Sequence, residues 1–140
     1  MERAYFTLKN ACQGLFKDRG SSFHAWVFPA ARPEEVQAQL AEWTALHRGA
    51  RHHAWAYRLR GDFELEERSH DAGEPSHSAG TPILHALQSR ELQQCGAVVS
   101  RYFGGTKLGV SGLIAAYRGA AEDALDQAER HQVHPERLAL

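Results

Sequence analysis

The chain has very little cysteine, and this scarcity limits its redox and metal chemistry. Its two cysteines, Cys12 and Cys95, are far apart, and neither has another cysteine nearby. A disulfide framework needs several cysteines, and a Cys-x-x-Cys redox or zinc motif needs a close pair. The sequence therefore predicts neither feature and leaves two free, buried thiols.

Long apolar runs are also absent. No segment approaches the roughly 18 apolar residues that a membrane-spanning helix needs, and residues 1–9 contain no sustained apolar core. We therefore predict a cytoplasmic protein that makes no membrane contact.

An excess of charge of either sign is missing as well. The formal net charge is −1 at pH 7, and the isoelectric point is near 6.8. A surface that is basic throughout is excluded, so any contact with nucleic acid has to come from a local patch.

Histidine is frequent, but metal-ligand spacing is absent. The chain has nine histidines, and no three of them stand at a recognised spacing for a metal site. His131 and His134 are expected to share one helix face. We predict that the protein carries no metal ion and no cofactor.

The length and the apolar content predict one domain over residues 1–140, with its motifs within about residues 20–130. With 140 residues of which 43% are hydrophobic, the chain can build a single core. Patterning predicts strands over residues 23–28, 54–60, 63–66 and 95–103, and helices that begin at Pro33, at Thr81 and near Leu113. This order predicts an α/β (α+β) fold, a two-layer sandwich with helices on one face of a mixed sheet.

The most informative segment is a glycine-rich turn within residues 101–112, Arg-Tyr-Phe-Gly-Gly-Thr-Lys-Leu-Gly-Val-Ser-Gly, which runs from a strand into a helix. Glycines let the backbone take positive φ and let a ligand approach closely. Ser111 is predicted to cap the helix, while Arg101 and Lys107 supply positive charge. Either the glycines only allow tight packing, or the segment binds phosphate or carboxylate through Arg101, Tyr102, Phe103, Gly104, Gly105, Lys107, Gly109, Ser111 and Gly112.

A second segment, residues 69–81, has no periodicity and is rich in glycine, serine, histidine and acidic residues. We expect it to face the glycine-rich turn and to add Asp71, Glu74 and Ser76 to the site. Two alternatives stay open. In the first, Asp71 and Glu74 cap turns or pair with Arg101 or Lys107; in the second, Asp71 and Ser76 join His77 in a hydrolytic triad.

Residues 71–84 and 98–113 together resemble the YigZ/Impact family. The family pattern is Asp-Asp-Gly-Glu-Pro-Ser-Gly-Thr-Ala-Gly-Arg-Pro-Ile-Leu followed by Arg-Tyr-Phe-Gly-Gly-Ile-Lys-Leu-Gly-Thr-Gly-Gly-Leu-Val-Arg-Ala-Tyr. The resemblance implies a fold like the second domain of ribosomal protein S-five. Longer family members carry an additional ferredoxin-like domain after this one, which we do not expect here.

The resemblance also implies a role in translation. Eukaryotic relatives regulate translation under amino-acid starvation by binding a ribosome-associated activator of a kinase, and bacterial relatives are thought to contact nucleic acid or the ribosome. We therefore predict a non-enzymatic binding module for RNA, the ribosome or a translation-regulatory protein. The alternative is a small hydrolase or transferase that acts on a phosphorylated or carboxylated metabolite.

The chain departs from the family pattern at several positions. It has Thr81 and Ala115 where the pattern has arginine, Ala72 where it has aspartate, His77 where it has glycine and Val110 where it has threonine. Because each phosphate contact is made through one lysine or arginine, the loss of two arginines is expected to weaken binding to polyanions.

Overall fold

The fold consists of seven strands and three helices within residues 3–135, the part of the chain that the computed structural model describes. The strands are β1 (Tyr5–Leu8), β2 (Cys12–Asp18), β3 (Ser21–Pro29), β4 (His52–Arg60), β5 (Leu65–His70), β6 (Cys95–Tyr102) and β7 (Arg130–Val133). The helices are α1 (Pro33–Leu46), α2 (Gly80–Ser89) and α3 (Gly109–Gln127).

Five strands form one sheet in the order β2-β3-β6-β4-β5, and every neighbouring pair in it is antiparallel. In the central strand β6, Arg101 lies between Phe23 of β3 and His52 of β4. Strands β1 and β7 form a separate antiparallel pair, with Tyr5 opposite Val133.

Helices α2 and α3 pack on one face of the sheet. Alternate residues of a strand point to opposite faces. Ala97 and Val99 of β6 are fully buried in one cluster with Ile83 of α2 and Tyr117 of α3. By the same alternation, Arg101 lies on the face of the sheet that these two helices cover.

Helix α1 packs on the opposite face. Val98 of β6 lies in a second buried cluster with Val36, Leu40 and Trp43 of α1. The indole Nε1 of Trp43 donates a hydrogen bond of 2.9 Å to the hydroxyl of Ser100, which is also buried. This bond fixes α1 on the face that includes Val98 and Ser100.

The predicted α+β class is confirmed, but two details of the architecture differ. The sheet is antiparallel rather than mixed, because the strands of the described chain run in alternate directions. The helices do not share one face, because the apolar stripe of α1 covers the Val98 face while α2 and α3 cover the other.

The two ends of the described chain also differ from expectation. Strands β1 and β2 were not predicted. Helix α3 ends at Gln127, so His131 lies in strand β7 rather than sharing a helix face with His134. Strand β5 extends to His70 and shortens the predicted loop to residues 71–79.

No helix within residues 3–135 has the combination of length and hydrophobicity that a bilayer crossing requires.

Candidate functional site

The glycine-rich turn is an exposed connection between β6 and α3. Strand β6 ends at Tyr102, and α3 begins at Gly109. Phe103 is 56% exposed, and Lys107 is exposed. Gly105 has a φ of +93°, and a Cβ there would meet no atom within 4 Å. The turn therefore presents backbone, one cation and one aromatic ring to solvent.

Gly104 has a different role from its neighbour Gly105, because it packs against another turn. A Cβ on Gly104 would lie 2.0 Å from the carbonyl carbon of Gly20. The Gly104 N–H also donates a 3.0 Å hydrogen bond to the hydroxyl of Ser21. Gly104 thus joins the glycine-rich turn to the turn between β2 and β3, as the packing alternative predicted.

The start of α3 corrects the predicted helix cap. The N-cap residue is Leu108, which has no side-chain cap, and Ser111 is exposed within the first turn of the helix. Gly112 also lies inside the helix, where a Cβ would approach the Cβ of Leu108 to 3.0 Å. The helix begins earlier than predicted, at Gly109, which enters it with a φ of +75°.

A buried ion pair joins the loop of residues 71–79 to the end of β6. Nη1 of Arg101 lies 2.9 Å from both carboxylate oxygens of Glu74, and these side chains are 10% and 4% exposed, respectively. The hydroxyl of Tyr117 donates a hydrogen bond of 2.5 Å to the same carboxylate. Burial, reinforced by this hydrogen bond and by the charge of Glu74, raises the pKa of Tyr117. Glu74 therefore accepts from two neighbours and balances one positive charge.

His52 lies beside this ion pair and contacts both the loop and Glu74. Its Nδ1 is 2.7 Å from the carbonyl oxygen of Ala72. A carbonyl only accepts, so Nδ1 carries the hydrogen and donates it. Its Nε2 then faces Glu74, with 3.8 Å between Nε2 and the nearer carboxylate oxygen.

Asp71 holds the loop to α2. Its carboxylate accepts hydrogen bonds from the backbone N–H groups of His77, Ala79 and Gly80, at 2.9, 3.2 and 2.9 Å. It therefore satisfies N–H groups at the start of α2, the helix that was predicted to begin at Thr81. Burial acts to raise the pKa of Asp71, but the three N–H donors outweigh burial and hold this pKa below its ordinary value.

We expect Asp71→Asn to lower the free energy of unfolding by about 0.5–1.5 kcal/mol near pH 7, since an amide keeps one acceptor oxygen and loses a hydrogen bond that the second carboxylate oxygen accepts. The pKa of Asp71 is lower in the folded than in the unfolded protein. Its contribution is therefore present above the unfolded pKa and is lost as the pH falls through the folded pKa. The difference between the two proteins should shrink in acid.

Urea unfolding at neutral pH and below pH ~3.9, the ordinary aspartate pKa, measures this loss. Asp62→Asn is the control, because it makes the same change in the exposed turn between β4 and β5. Equal effects of both substitutions at neutral pH would contradict the capping role of Asp71.

The remaining predicted residues do not converge on one cavity. Ser76 is exposed, and Asp71 is turned toward backbone N–H groups. Nδ1 of His77 lies 3.1 Å from the hydroxyl of Thr81. Asp71, Glu74 and Ser76 thus lack the shared cavity that the alternative enzymatic function needs.

Tyr102 lies on the α1 face, away from Arg101. Its hydroxyl is 2.8 Å from Nδ1 of His47, and its ring contacts the ring of His24 edge-on. Burial, with help from the charge of Lys17, lowers the pKa of His24, and burial likewise lowers the pKa of His47. Tyr102 therefore packs among neutral imidazoles, and Phe103 is the aromatic ring that the turn exposes.

A cleft of about 210 Å³ opens beside the turn, and its lining residues are Arg51, His52, Arg101 and Phe103. Arg51 is exposed, and the guanidinium carbon of Arg101 lies 5.4 Å from the ring centre of Phe103. Sequence reasoning missed Arg51 and His52. The basic run Arg51-His52-His53 before a predicted strand was an available signal.

Within residues 3–135, no group of three or more histidine, cysteine or acidic side chains is arranged to hold a metal ion. Cys95 is buried, and burial raises its pKa to about 12, whereas Cys12 is half-buried.

Comparison with known proteins places this geometry in a family. The family model described as Impact N-terminal domain matches residues 19–125, which include the loop, the ion pair and the glycine-rich turn. The chain belongs to the Impact family. It is 36% identical over 126 residues to the IMPACT family member YvyE of Bacillus subtilis, an alignment that covers 90% of this chain and 58% of YvyE. The chain spans about half the length of the curated Impact relatives that it matches.

Two solved structures share the fold. A structure described as the crystal structure of a hypothetical protein superposes with a TM-score of 0.88 at 30% identity, covering 96% of this chain and 65% of the other. The two-domain translational regulator Yih1 superposes with a TM-score of 0.51 at 24% identity, covering 88% of this chain and 47% of Yih1.

Two positions at which this chain departs from the Impact pattern have strained backbone. His77, where the pattern has glycine, has a φ of +64°, and Ala72, where the pattern has aspartate, has a φ of +53°. Left-handed backbone costs a residue with a Cβ about 1–2 kcal/mol, and glycine and aspartate adopt it more readily. This chain therefore adopts strained backbone at two positions where the pattern has better-suited residues.

Proposed function

We propose that this chain is a translation-associated binding module without catalytic activity, which contacts RNA through the glycine-rich turn. Membership of the Impact family and the similarity to Yih1, itself described as a translational regulator, support the association with translation. Such a module acts in the cytoplasm, where ribosomes are. Contact with ribosomal RNA is one form of this activity, and a translation-regulatory protein is the competing partner.

The observation that carries the proposal is the exposure of Lys107 and Phe103 in one turn. A cation attracts the phosphate backbone, and an exposed ring stacks on an unpaired base. The positive charge of Arg101 is balanced by Glu74, so the attraction at this end of the sheet comes from exposed cations such as Lys107, Arg51 and Arg19, the last in the turn that contacts Gly104.

A binding module fits the geometry better than an enzyme does. The carboxylates that would act as acid or base are engaged by Arg101, Tyr117 and backbone N–H groups. They do not line the cleft beside the turn. An open surface needs no such convergence, since it binds through charge and stacking.

We expect Lys107→Glu to weaken binding to single-stranded RNA severalfold at low salt, with little effect on the fold. An exposed turn position usually changes stability by no more than about 0.5 kcal/mol. The slope of log affinity against log salt should decrease by about 0.7, the contribution of one phosphate in a single strand. Fluorescence anisotropy with a labelled oligoribonucleotide at several salt concentrations measures both quantities.

The matched control is Lys9→Glu. Lys9 is exposed and pairs with Glu129 beside the β1–β7 pair, at the other end of the sheet. It makes the same change of charge but should leave the salt slope unchanged. Equal losses for both variants would mean that only net charge matters, and absence of RNA binding by the native protein would reject the proposal.

A further inference from the structure

Arg101 is held in place from several directions, but one of its buried N–H donors has no acceptor within residues 3–135. Its side chain is 10% exposed and lies against the rings of Phe23 and Phe103, with the guanidinium carbon 5.9 and 5.4 Å from the two ring centres. Both hydrogen bonds to Glu74 come from Nη1. Among the described residues, Nε of Arg101 is buried and has no hydrogen-bond partner.

An unpartnered donor in this position requires an explanation. Leaving a buried donor unsatisfied costs about 1–3 kcal/mol, and native structures contain few such groups. The Nε–H and the Nη2 group project from the same edge of a guanidinium, and this edge fits two oxygens of one carboxylate or phosphate. Glu74 thus fixes the orientation of Arg101 and leaves the Nε–H of this edge without an acceptor among the described residues.

The cleft that Arg101 lines has the size and charge for a single anionic group. Its volume of about 210 Å³ is below the ~300–1,000 Å³ of pockets that enclose whole small molecules. Arg51 and Arg101 both line the cleft, and of these two only Arg101 pairs with a described carboxylate, the buried one of Glu74. The balance is one positive charge, which complements one phosphodiester.

Phe103 indicates what is attached to that group. Its ring forms one wall of the cleft, yet the residue is 56% exposed. An exposed ring beside a phosphate site is suited to stacking on a nucleobase, and only an unpaired base is free to stack in this way.

We propose that the cleft formed by Arg51, His52, Arg101 and Phe103 binds a nucleotide phosphate, with the adjoining base stacked on Phe103. The proposal rests on the proposed function in taking single-stranded RNA as the source of that nucleotide. It adds Arg51 as a phosphate ligand and excludes Tyr102 from stacking, because Tyr102 packs on the opposite face with His24 and His47.

The test compares two cleft variants with one control. Anisotropy with a labelled single-stranded oligoribonucleotide is measured at several salt concentrations for Arg51→Ala, Phe103→Ala and Arg48→Ala. Arg48 is an exposed arginine that does not line the cleft. Circular dichroism verifies the fold of each variant, and Arg101 is left unchanged because it has a structural partner.

We expect the two cleft variants to lose affinity in different ways. Arg51→Ala should reduce the salt slope by about 0.7, as expected for one lost phosphate contact. Phe103→Ala should weaken binding about fivefold or more with an unchanged slope, because stacking does not depend on salt. Phe103→Leu should not restore the affinity, and a duplex of the same sequence should not respond to loss of the ring.

Three further outcomes separate the cleft from the wider function. If RNA binds and Lys107→Glu weakens it, but both cleft variants behave like Arg48→Ala, the cleft inference is overturned and the proposed function stands. If RNA does not bind, but a nucleoside monophosphate shifts the NMR signals of Arg51 and Phe103, the proposed function fails and the cleft is a site for free nucleotides. If neither ligand binds, both proposals fail.

Discussion

Replacing Glu74 with alanine is expected to lower the free energy of unfolding by about 3–5 kcal/mol, because it leaves the buried Arg101 without its counter-charge. The side chains of Glu74 and Arg101 are 4% and 10% exposed. The substitution also removes the acceptor for the buried hydroxyl of Tyr117. Urea unfolding followed by circular dichroism measures the loss.

Glu122→Ala is the matched control for Glu74. Glu122 pairs with Arg118 one helical turn away, and both side chains are more than a third exposed. Such a surface pair contributes about 0.3–0.5 kcal/mol. In the double variant Glu74→Ala/Arg101→Met, much of the lost stability should return, because no buried charge is left unpaired. A Glu74→Ala protein as stable as the control would show that water reaches Arg101.

Gly104→Ala should cost at least about 2–3 kcal/mol of stability, more than any other single methyl group added to the glycine-rich turn. The new Cβ would lie 2.0 Å from the carbonyl carbon of Gly20 and 2.3 Å from its oxygen. Both contacts are with backbone, so no side-chain rotation relieves them. Separating the two turns would also break the hydrogen bond from Gly104 to Ser21.

The comparison for Gly104 is its neighbour Gly105. Gly105→Asn introduces a side chain into open space at a φ of +93°, and asparagine tolerates positive φ better than most residues do. We expect a loss of about 1 kcal/mol or less from thermal and urea unfolding. If both variants lost the same stability, the close approach of Gly104 to Gly20 would not matter to the fold.

The central sheet strands and the helices could be predicted because their signals are local. Alternating or continuous apolar residues mark β3, β4 and β6, and apolar residues at helical spacing mark α1 and α3. Strand β2 was missed because it is an edge strand whose residues alternate between half-buried and exposed. Strand β7 was missed because its pairing with β1 joins residues that are distant in sequence, and no local pattern records such a partner.

The candidate site likewise contains some residues whose roles could be predicted from the sequence and others whose roles could not. The role of Asp71 as a cap and the pairing of Glu74 with Arg101 were among the sequence alternatives, because charge and turn chemistry are visible locally. Arg51 and His52 were not predicted to join the site. Their position follows from the register that places His52 opposite Arg101 across β4 and β6, and register is set by the whole sheet.

The antiparallel pairing of β1 and β7 also bears on how the domain can be rebuilt. Tyr5 stands opposite Val133, so the outer ends of these two strands are neighbours. A short linker between them would close the backbone into a ring, and new ends could then be opened in the turn near Phe63, which is 94% exposed. The domain is therefore a natural scaffold for circular permutation, with chain order changed and every strand pair of the five-stranded sheet retained.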